Sequence, residues 1–401
     1  MRYNKKYILL SFVALSMMVK GCIEPFEAET LTFESALVID ATITDELKTQ
    51  VIMLSRSFAF EEDGPAAERN AAVVVQDGQG NAFTFLESGP GTYESEQPFA
   101  AQPGTAYQLH ITANNGRKYA SVPTSLSPAA DLQSVYAERT TNGNGVEGVA
   151  IRVDAGSASG NSRNYRYTFE ETYKIVAPDW FSDELVPDPE GGCGVLVQPR
   201  KNEEQTCYAT DASNSLILTD TNSFGEDNVS GFIVRFINRD NPIISYRYSI
   251  LVHQYVQSDA AYTFYETLNE FSGAESLFSE TQPGFLEGNV FSEDNVGEKV
   301  LGYFDVSPVR EQRIFFNYDD LFPGEPLPPY FDPCNQSTPP LTAGLPPRCV
   351  LRGQVEAKII SLVGDNPSPA STEGPYIVVP RICGDCTTIG SKDVPGFWTE
   401  E

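Results

Sequence analysis

Hydrophobic and polar positions alternate in short runs along most of the chain, and turn residues separate the runs. Runs of about four to eight residues with this alternation predict β-strands. In the N-terminal part, the predicted strands are 36–43, 51–54, 71–75, 83–86, 106–112 and 118–122. Their close spacing, without helical stretches, predicts a small immunoglobulin-like β-sandwich over residues 35–125.

A tyrosine at the start of one predicted strand favours the same fold. Pro103 and Gly104 precede Tyr107, which opens an alternating run. In immunoglobulin-like sandwiches, a tyrosine at such a corner bonds back to the preceding backbone. We therefore expect the Tyr107 hydroxyl to contact the chain just before it.

Strand-like runs continue beyond the Pro- and Ser-rich stretch 123–128. They predict a larger antiparallel β domain over residues 126–401, and the whole protein is expected to be mainly β. The predicted strands are 146–153, 165–169, 215–218, 232–237, 246–255, 288–290, 300–306, 313–318, 350–360 and 376–379.

One short helix interrupts these strands. Ser258 is a good N-cap residue, and Gly273 is a typical helix stop. Between them, apolar residues recur at helical spacing, namely Ala261, Phe264, Tyr265, Leu268 and Phe271.

The first residues indicate export. Basic residues precede an apolar run at 7–19, and Gly21-Cys22 ends it. This pattern is typical of a bacterial lipoprotein signal peptide over residues 1–21, with Cys22 as the lipidated residue and 22–34 as a tether. The run is too short to span a bilayer. The alternative is an ordinary secretory signal that leaves Cys22 as a free thiol.

Composition narrows the classes of function. The chain has 401 residues and a formal net charge of −28. Nucleic acid is also negatively charged and would be repelled, so it is an unfavourable partner. Only His110 and His253 provide imidazoles, and we expect surface or interface roles for both. That scarcity disfavours catalytic Ser-His or Cys-His pairs and zinc sites with several histidines. We expect no cofactor.

Six further cysteines predict disulfides in an exported chain: Cys193, Cys207, Cys334, Cys349, Cys383 and Cys386. Six cysteines allow fifteen connectivities. Short spacing favours Cys193 with Cys207, Cys334 with Cys349, and Cys383 with Cys386. Redox and zinc roles for the last pair, which has Cys-x-x-Cys spacing, are weaker alternatives, because no helix and no second ligand pair follow it.

Acidic residues suggest two further candidate sites, and each has a feature that argues against it. The segment 220–228 resembles the start of a calcium loop, but Phe224 occupies a ligand position, so a solvated face is favoured. Glu170 and Glu171 could be glycosidase carboxylates. Adjacent strand residues point to opposite faces, however, so these two cannot flank one bond. We predict no catalytic residue and no metal site.

Nine prolines occur between Leu321 and Pro347, which predicts a stiff, irregular loop. Long ordered loops often carry binding functions. Phe322, Tyr330 and Phe331 are therefore candidate partner-contact residues. The alternative is that these aromatic side chains fold back and cover the β domain.

Several segments together resemble a known family. They are 37–46, 300–304, 313–315, 383–387 and 395–398. The chain resembles the Bacteroidota outer-membrane lipoproteins of the domain-of-unknown-function 4249 family. The resemblance extends over nearly the whole mature chain, and the C-terminal Cys-x-x-Cys with Pro-x-Phe-Trp is its most specific part. It carries over no reaction and no ligand residue.

The resemblance implies an outer-membrane lipoprotein that is often encoded beside a TonB-dependent transporter. The expected function is non-enzymatic: a lipid-anchored accessory protein, on the surface or the periplasmic face, that docks on the transporter and assists substrate capture. The alternatives are a secreted hydrolase acting on glycans or peptides, and a structural envelope component.

Lipidation at Cys22 is directly testable. The variant Cys22→Ser removes the thiol that would receive the lipid, so the protein should move from the membrane pellet to the soluble fraction. Fractionation and immunoblotting measure this, with Ser35→Ala as a control. Unchanged membrane association of Cys22→Ser would contradict the prediction.

Overall fold

The computed structural model describes residues 35–58, 64–157, 162–223, 226–273 and 286–400. The expected signal peptide, Cys22 and the tether lie outside these ranges. No helix in the described ranges is long and apolar enough to cross a membrane.

The protein is mainly β, as the sequence predicts. The strands are β1 (Leu37–Thr44), β2 (Val51–Arg56), β3 (Ala66–Ala67), β4 (Ala72–Asp77), β5 (Ala82–Gly89), β6 (Thr92–Ser95), β7 (Ala106–Thr112), β8 (Lys118–Ser121), β9 (Thr124–Ser125), β10 (Asp131–Thr141), β11 (Glu147–Gly156), β12 (Asn164–Val176), β13 (Asp183–Pro187), β14 (Val195–Pro199), β15 (Thr206–Ala212), β16 (Ile217–Asp220), β17 (Asn228–Asn238), β18 (Arg247–Val256), β19 (Val290–Ser292), β20 (Val300–Ser307), β21 (Val309–Asn317), β22 (Thr342–Ala343), β23 (Arg348–Cys349), β24 (Ile360–Asp365) and β25 (Tyr376–Pro380).

Helices contribute little. They are α1 (Asp259–Gly273), α2 (Tyr318–Leu321), α3 (Leu351–Glu356) and α4 (Arg381–Gly384), with 3₁₀ turns at Pro242–Ile244 and Cys386–Thr388. The predicted helix is present as α1. The Ser258 hydroxyl caps it by accepting a hydrogen bond from the Ala261 backbone N–H at 3.2 Å. Phe264 and Tyr265 of α1 pack against Tyr303 of β20.

The strand predicted at 350–360 is wrong, because α3 occupies most of it. Leu351 and Val355 are four residues apart, so in a helix both face the same small apolar cluster. Arg352 and Glu356 form an ion pair of 2.8 Å at the same spacing. The helical period therefore fits this segment better than alternation does.

The first sheet curls almost into a barrel. Its eleven strands follow the order β19-β8-β7-β4-β5-β6-β2-β1-β20, with β3 attached to β2 and β9 to β7. The Tyr107 hydroxyl accepts a hydrogen bond from the Gln102 N–H at 2.8 Å, which is the expected corner contact.

Two strands from far along the chain complete this sheet. β20 pairs in parallel with the whole of β1, from Leu37 opposite Val300 to Thr44 opposite Ser307. β19 and β20 are the two ends of the strand order. The side chain of Asn289, which directly precedes β19, links these two ends. Its amide donates to the Phe304 carbonyl at 2.7 Å and accepts from the Phe304 N–H at 2.8 Å. The first sheet therefore does not end at residue 125.

The remaining large sheets pack face to face around a second core. One has three strands, in the order β10-β11-β17, and the other has β15-β12-β18-β21, with β16 also on β12. Tyr165, Tyr167 and Tyr248 are fully buried between them. β20 belongs to the first sheet and β21 to the second core. Only a short turn separates these two strands in the chain.

A glycine allows the close approach of β20 to β1. Gly302 has a φ of +100°, and a Cβ there would lie 1.8 Å from the Ile39 carbonyl oxygen. Any larger residue must therefore move the backbone of one strand.

Gly302→Ala should lower the free energy of unfolding by more than about 2 kcal/mol, through backbone strain and steric overlap. Urea titration of the purified protein measures this. Gly297→Ala is the matched control, because its Cβ would meet nothing closer than 3.6 Å. Equal unfolding midpoints for the two variants would contradict the predicted role of Gly302.

Candidate functional site

The C-terminal residues 321–400 form a layer that lies against the five-stranded sheet and its hairpins; we call it the C-terminal cover. Three disulfides hold it: Cys193–Cys349, Cys207–Cys386 and Cys334–Cys383. They join residues 156, 179 and 49 positions apart. In the chain-entropy model, loops of this length give about 4 to 5 kcal/mol each.

All six cysteines are paired, but the pairing favoured by short spacing is wrong in every case. Cys383 lies in α4 and Cys386 in the following 3₁₀ turn. Cys386 faces Cys207 on β15, whereas Cys383 faces Cys334 in the Pro-rich segment. The Cys-x-x-Cys motif therefore bonds in two directions and forms no internal disulfide.

One group of potential metal ligands lies in the cover. The ligand atoms of Asp332, Cys334 and Cys383 are within 4.8 Å of one another. Both sulfurs already belong to one disulfide, so neither is a thiolate that could bind a metal. The described residues hold no other such group.

A buried carboxylate fixes the turn between the two cysteines. Asp385 accepts hydrogen bonds from Arg381 Nε at 2.8 Å and from the Thr387 N–H at 2.9 Å. Burial alone would raise the pKa of Asp385, but the bonds from Thr387 and Arg381 outweigh burial and lower it. This charged network orients the Cys383 and Cys386 side chains.

The three candidate contact residues differ in accessibility. Phe322 is fully buried, so it is not available to a partner and this part of the prediction is wrong. Its ring stacks on Tyr318 and lies beneath the guanidinium groups of Arg139 and Arg239. Both arginines also pair with Glu325. The start of the Pro-rich segment is thereby anchored to the three-stranded sheet of the second core.

Tyr330 is half-buried, and its hydroxyl donates to the Ile382 carbonyl at 3.0 Å. Phe331 remains exposed and stacks loosely on Tyr173. The Pro-rich segment therefore folds back over the β domain and still presents part of its apolar surface.

Exposed apolar side chains are frequent on the cover. They are Leu327, Phe331, Leu341, Leu345, Ile359, Val394 and Phe397. Leu345 is the most prominent, at 98% exposure. Exposed apolar side chains that lie together often mark interaction sites, whereas singly scattered ones are common on protein surfaces.

The chain's C-terminal end is clamped to the sheet. Trp398 packs edge-on against Tyr208 and Phe315, with ring centroids 5.0 and 5.8 Å apart. The Arg313 guanidinium lies 3.5 Å from the Phe397 ring centroid. The cover is therefore held at this end as well as by its disulfides.

The paired glutamates separate as expected, since Glu170 is exposed and Glu171 is buried. Sequence reasoning missed the second acid. Asp211 of β15 lies directly opposite Glu171 of β12. No sequence spacing signals this, because it depends on which strands are neighbours. Arg235 Nε and Nη2 donate to Glu171 at 3.0 and 2.9 Å, and the Tyr248 hydroxyl donates at 2.5 Å. These bonds occupy Glu171, so it is poorly placed as an acid or base.

The acidic segment at 220–228 is not simply solvated. Asp227 is buried and accepts hydrogen bonds from the Tyr165 and Thr221 hydroxyls, both at 2.8 Å. Phe224 lies outside the described residues. The expectation of a solvated face is therefore wrong for Asp227.

The two histidines lie on strands. Nδ1 of His253 is 3.2 Å from Glu311 across the β18–β21 pair, and burial lowers the pKa of His253 although Glu311 opposes that shift. His110 lies on β7 opposite Ala120. Within the described residues, no hydrogen bond, ion pair or ring contact links either histidine to the cover.

Comparison with known proteins gives one decisive match. The family model described as domain of unknown function (DUF4249) matches residues 23–313. The chain belongs to the DUF4249 family. The match ends inside β21, so the C-terminal cover of this DUF4249 protein lies beyond it, and the expected coverage of nearly the whole mature chain is too wide.

The other comparisons add little to what the family match says about this DUF4249 protein. No curated protein matches it. Among solved structures, it is similar to a DUF4785 family protein from Legionella pneumophila, with 10% identity and a TM-score of 0.17. The alignment covers 55% of this chain and spans about half, 51%, of that one.

The disulfide pairing has a direct chemical test. Peptide mapping of non-reduced protein should find the cross-linked pairs Cys193–Cys349, Cys207–Cys386 and Cys334–Cys383, because these sulfurs are in bonding contact. Thiol titration under denaturing conditions should find none of the six free. The same digest after reduction is the control. A peptide with Cys383 bonded to Cys386 would contradict the structure.

Proposed function

We propose that this protein is a non-enzymatic, lipid-anchored accessory protein of a Bacteroidota outer membrane, and that it docks on a TonB-dependent transporter and assists substrate capture. The observation that carries the proposal is the C-terminal cover. It presents exposed apolar side chains on a segment that three disulfides and an aromatic clamp hold in place.

Rigidity is what makes such a surface suitable for docking. A flexible loop loses conformational entropy when it binds, whereas a segment held by disulfides has lost most of it already. Ring packing of Trp398 on Tyr208 and the hydroxyl bond of Tyr330 restrict the cover further. The free energy of apolar contact can therefore appear largely as affinity.

The lipid anchor rests on the sequence at residues 1–22, and the outer-membrane location rests on what the resemblance to the DUF4249 lipoproteins implies. A lipid anchor confines the protein to the membrane that holds the transporter, so docking becomes a two-dimensional encounter at high local concentration. Moderate affinity at the cover is then sufficient for a lasting complex.

The docking surface is tested by co-purification. Tagged protein is recovered from detergent-solubilised outer membranes, and a TonB-dependent transporter should be recovered with it. Leu345→Glu and Phe331→Ser place polar groups on the cover and should reduce the transporter yield at least about tenfold. Leu345 is 98% exposed, so Leu345→Glu should change the melting temperature little, whereas Phe331→Ser also removes the ring contact with Tyr173 and should lower it somewhat.

Leu86→Glu is the matched control, because Leu86 is an exposed apolar residue of β5 in the first sheet, outside the cover. It should leave the transporter yield unchanged. Recovery of the protein alone from wild-type membranes would contradict the proposal. Equal loss with Leu86→Glu would show that the cover is not the docking surface.

A further inference from the structure

A polar cleft opens at one side of the second core, and neither Phe331 nor Leu345 of the cover lines it. Its volume is about 420 Å³, within the range of small-ligand sites. The lining comes from β12, from the end of β15 and the loop after it, and from β17 on the facing sheet.

An interrupted edge strand creates this opening. β15 pairs with residues 170–176 of β12, and β16 pairs with residues 164–167 of the same strand. Between them the chain leaves the edge after Ser213, whose N–H still donates to the Phe169 carbonyl at 2.9 Å. Asn214 and Ser215 follow as an exposed polar rim.

The floor of the cleft is a fixed charge pair. Glu171 is 5% exposed and receives both Arg235 nitrogens described above and the Tyr248 hydroxyl. The bonds to Glu171 use only Nε and Nη2 of Arg235, the Tyr248 hydroxyl is a further partner of the guanidinium, and Arg235 also lines the cleft. The Arg235 guanidinium also lies over the Phe169 ring, which restricts its movement.

The rim adds an acceptor beside this donor. Asp211 uses Oδ2 to accept a bond from the Tyr173 hydroxyl at 3.1 Å, and no bond to its Oδ1 is formed within the described part of the chain. The half-buried Phe236 provides an aromatic wall. Donor, acceptor and ring therefore border one cavity.

Charge selects the class of ligand. The positive charge of Arg235 is already compensated by Glu171, so an anionic ligand would gain little from it and would meet Asp211 and a chain of net charge −28. A neutral molecule with neighbouring hydroxyl groups can donate to Asp211 and accept from Arg235. Its apolar C–H face can pack on Phe236.

We infer that this cleft between β12, β15 and β17 binds a neutral saccharide. The inference deepens the proposed function, since it names the class of substrate that the accessory protein captures. Binding at the cleft does not require docking, because Phe331 and Leu345 are not among the residues that line it.

Isothermal titration calorimetry on the purified mature protein tests the inference, with four neutral probes: maltotriose, cellotriose, xylotriose and N,N′,N″-triacetylchitotriose. At least one should bind. Asp211→Asn, which replaces a charged acceptor by a weaker neutral one, and Asn214→Ala, which removes an amide group, should each weaken binding about tenfold; both positions are exposed. Asp131→Asn, an exposed acid of β10, is the control and should bind like wild type.

Three results would overturn the inference: no heat with any of the four sugars at millimolar concentration, equal affinity of Asp211→Asn and wild type, or tighter binding of n-butylammonium than of every sugar. The last would make the cleft an amine site. Because these titrations contain no transporter, they separate failure of saccharide binding from failure of docking.

Discussion

The parallel pairing of β1 with β20 is the constraint on which the rest of the structure depends. It closes the first sheet with a strand that is more than 250 positions away in sequence, and it requires a residue without a side chain at Gly302. β20 then continues into β21, the edge of the second core. Asp45 secures the connection by accepting bonds from the Val309 N–H and from Arg310, both at 2.9 Å. Residues 300–317 therefore contribute one strand to each of the two cores.

The second core supports the cover. On β15, Cys207 forms a disulfide with Cys386 of the cover, and the neighbouring Tyr208 packs against the Trp398 ring. A segment with nine prolines has few backbone donors for a sheet of its own, so its order comes from cross-links and side-chain packing. That origin explains why the cover can keep apolar side chains exposed and still hold a fixed shape.

The same core contains an ion pair, Glu171–Arg235. Such a pair often stabilises a protein no more than apolar side chains of equal volume, because the buried Glu171 carboxylate loses most of its hydration. Its location at the floor of an open cleft is consistent with a role in binding. Burial also raises the pKa of Tyr248, which keeps its hydroxyl a donor to Glu171.

Local pattern by itself determined the mainly β fold and the α1 helix with its Ser258 cap, because alternation and capping act over a few residues. The even number of cysteines in an exported chain was enough to predict that all six are bonded. Tertiary structure alone decided the β1–β20 pairing, the disulfide partners, the burial of Phe322 and the placement of Asp211 opposite Glu171. Each of these depends on which distant strands become neighbours. That choice is made by the packing of whole sheets, which no local spacing records.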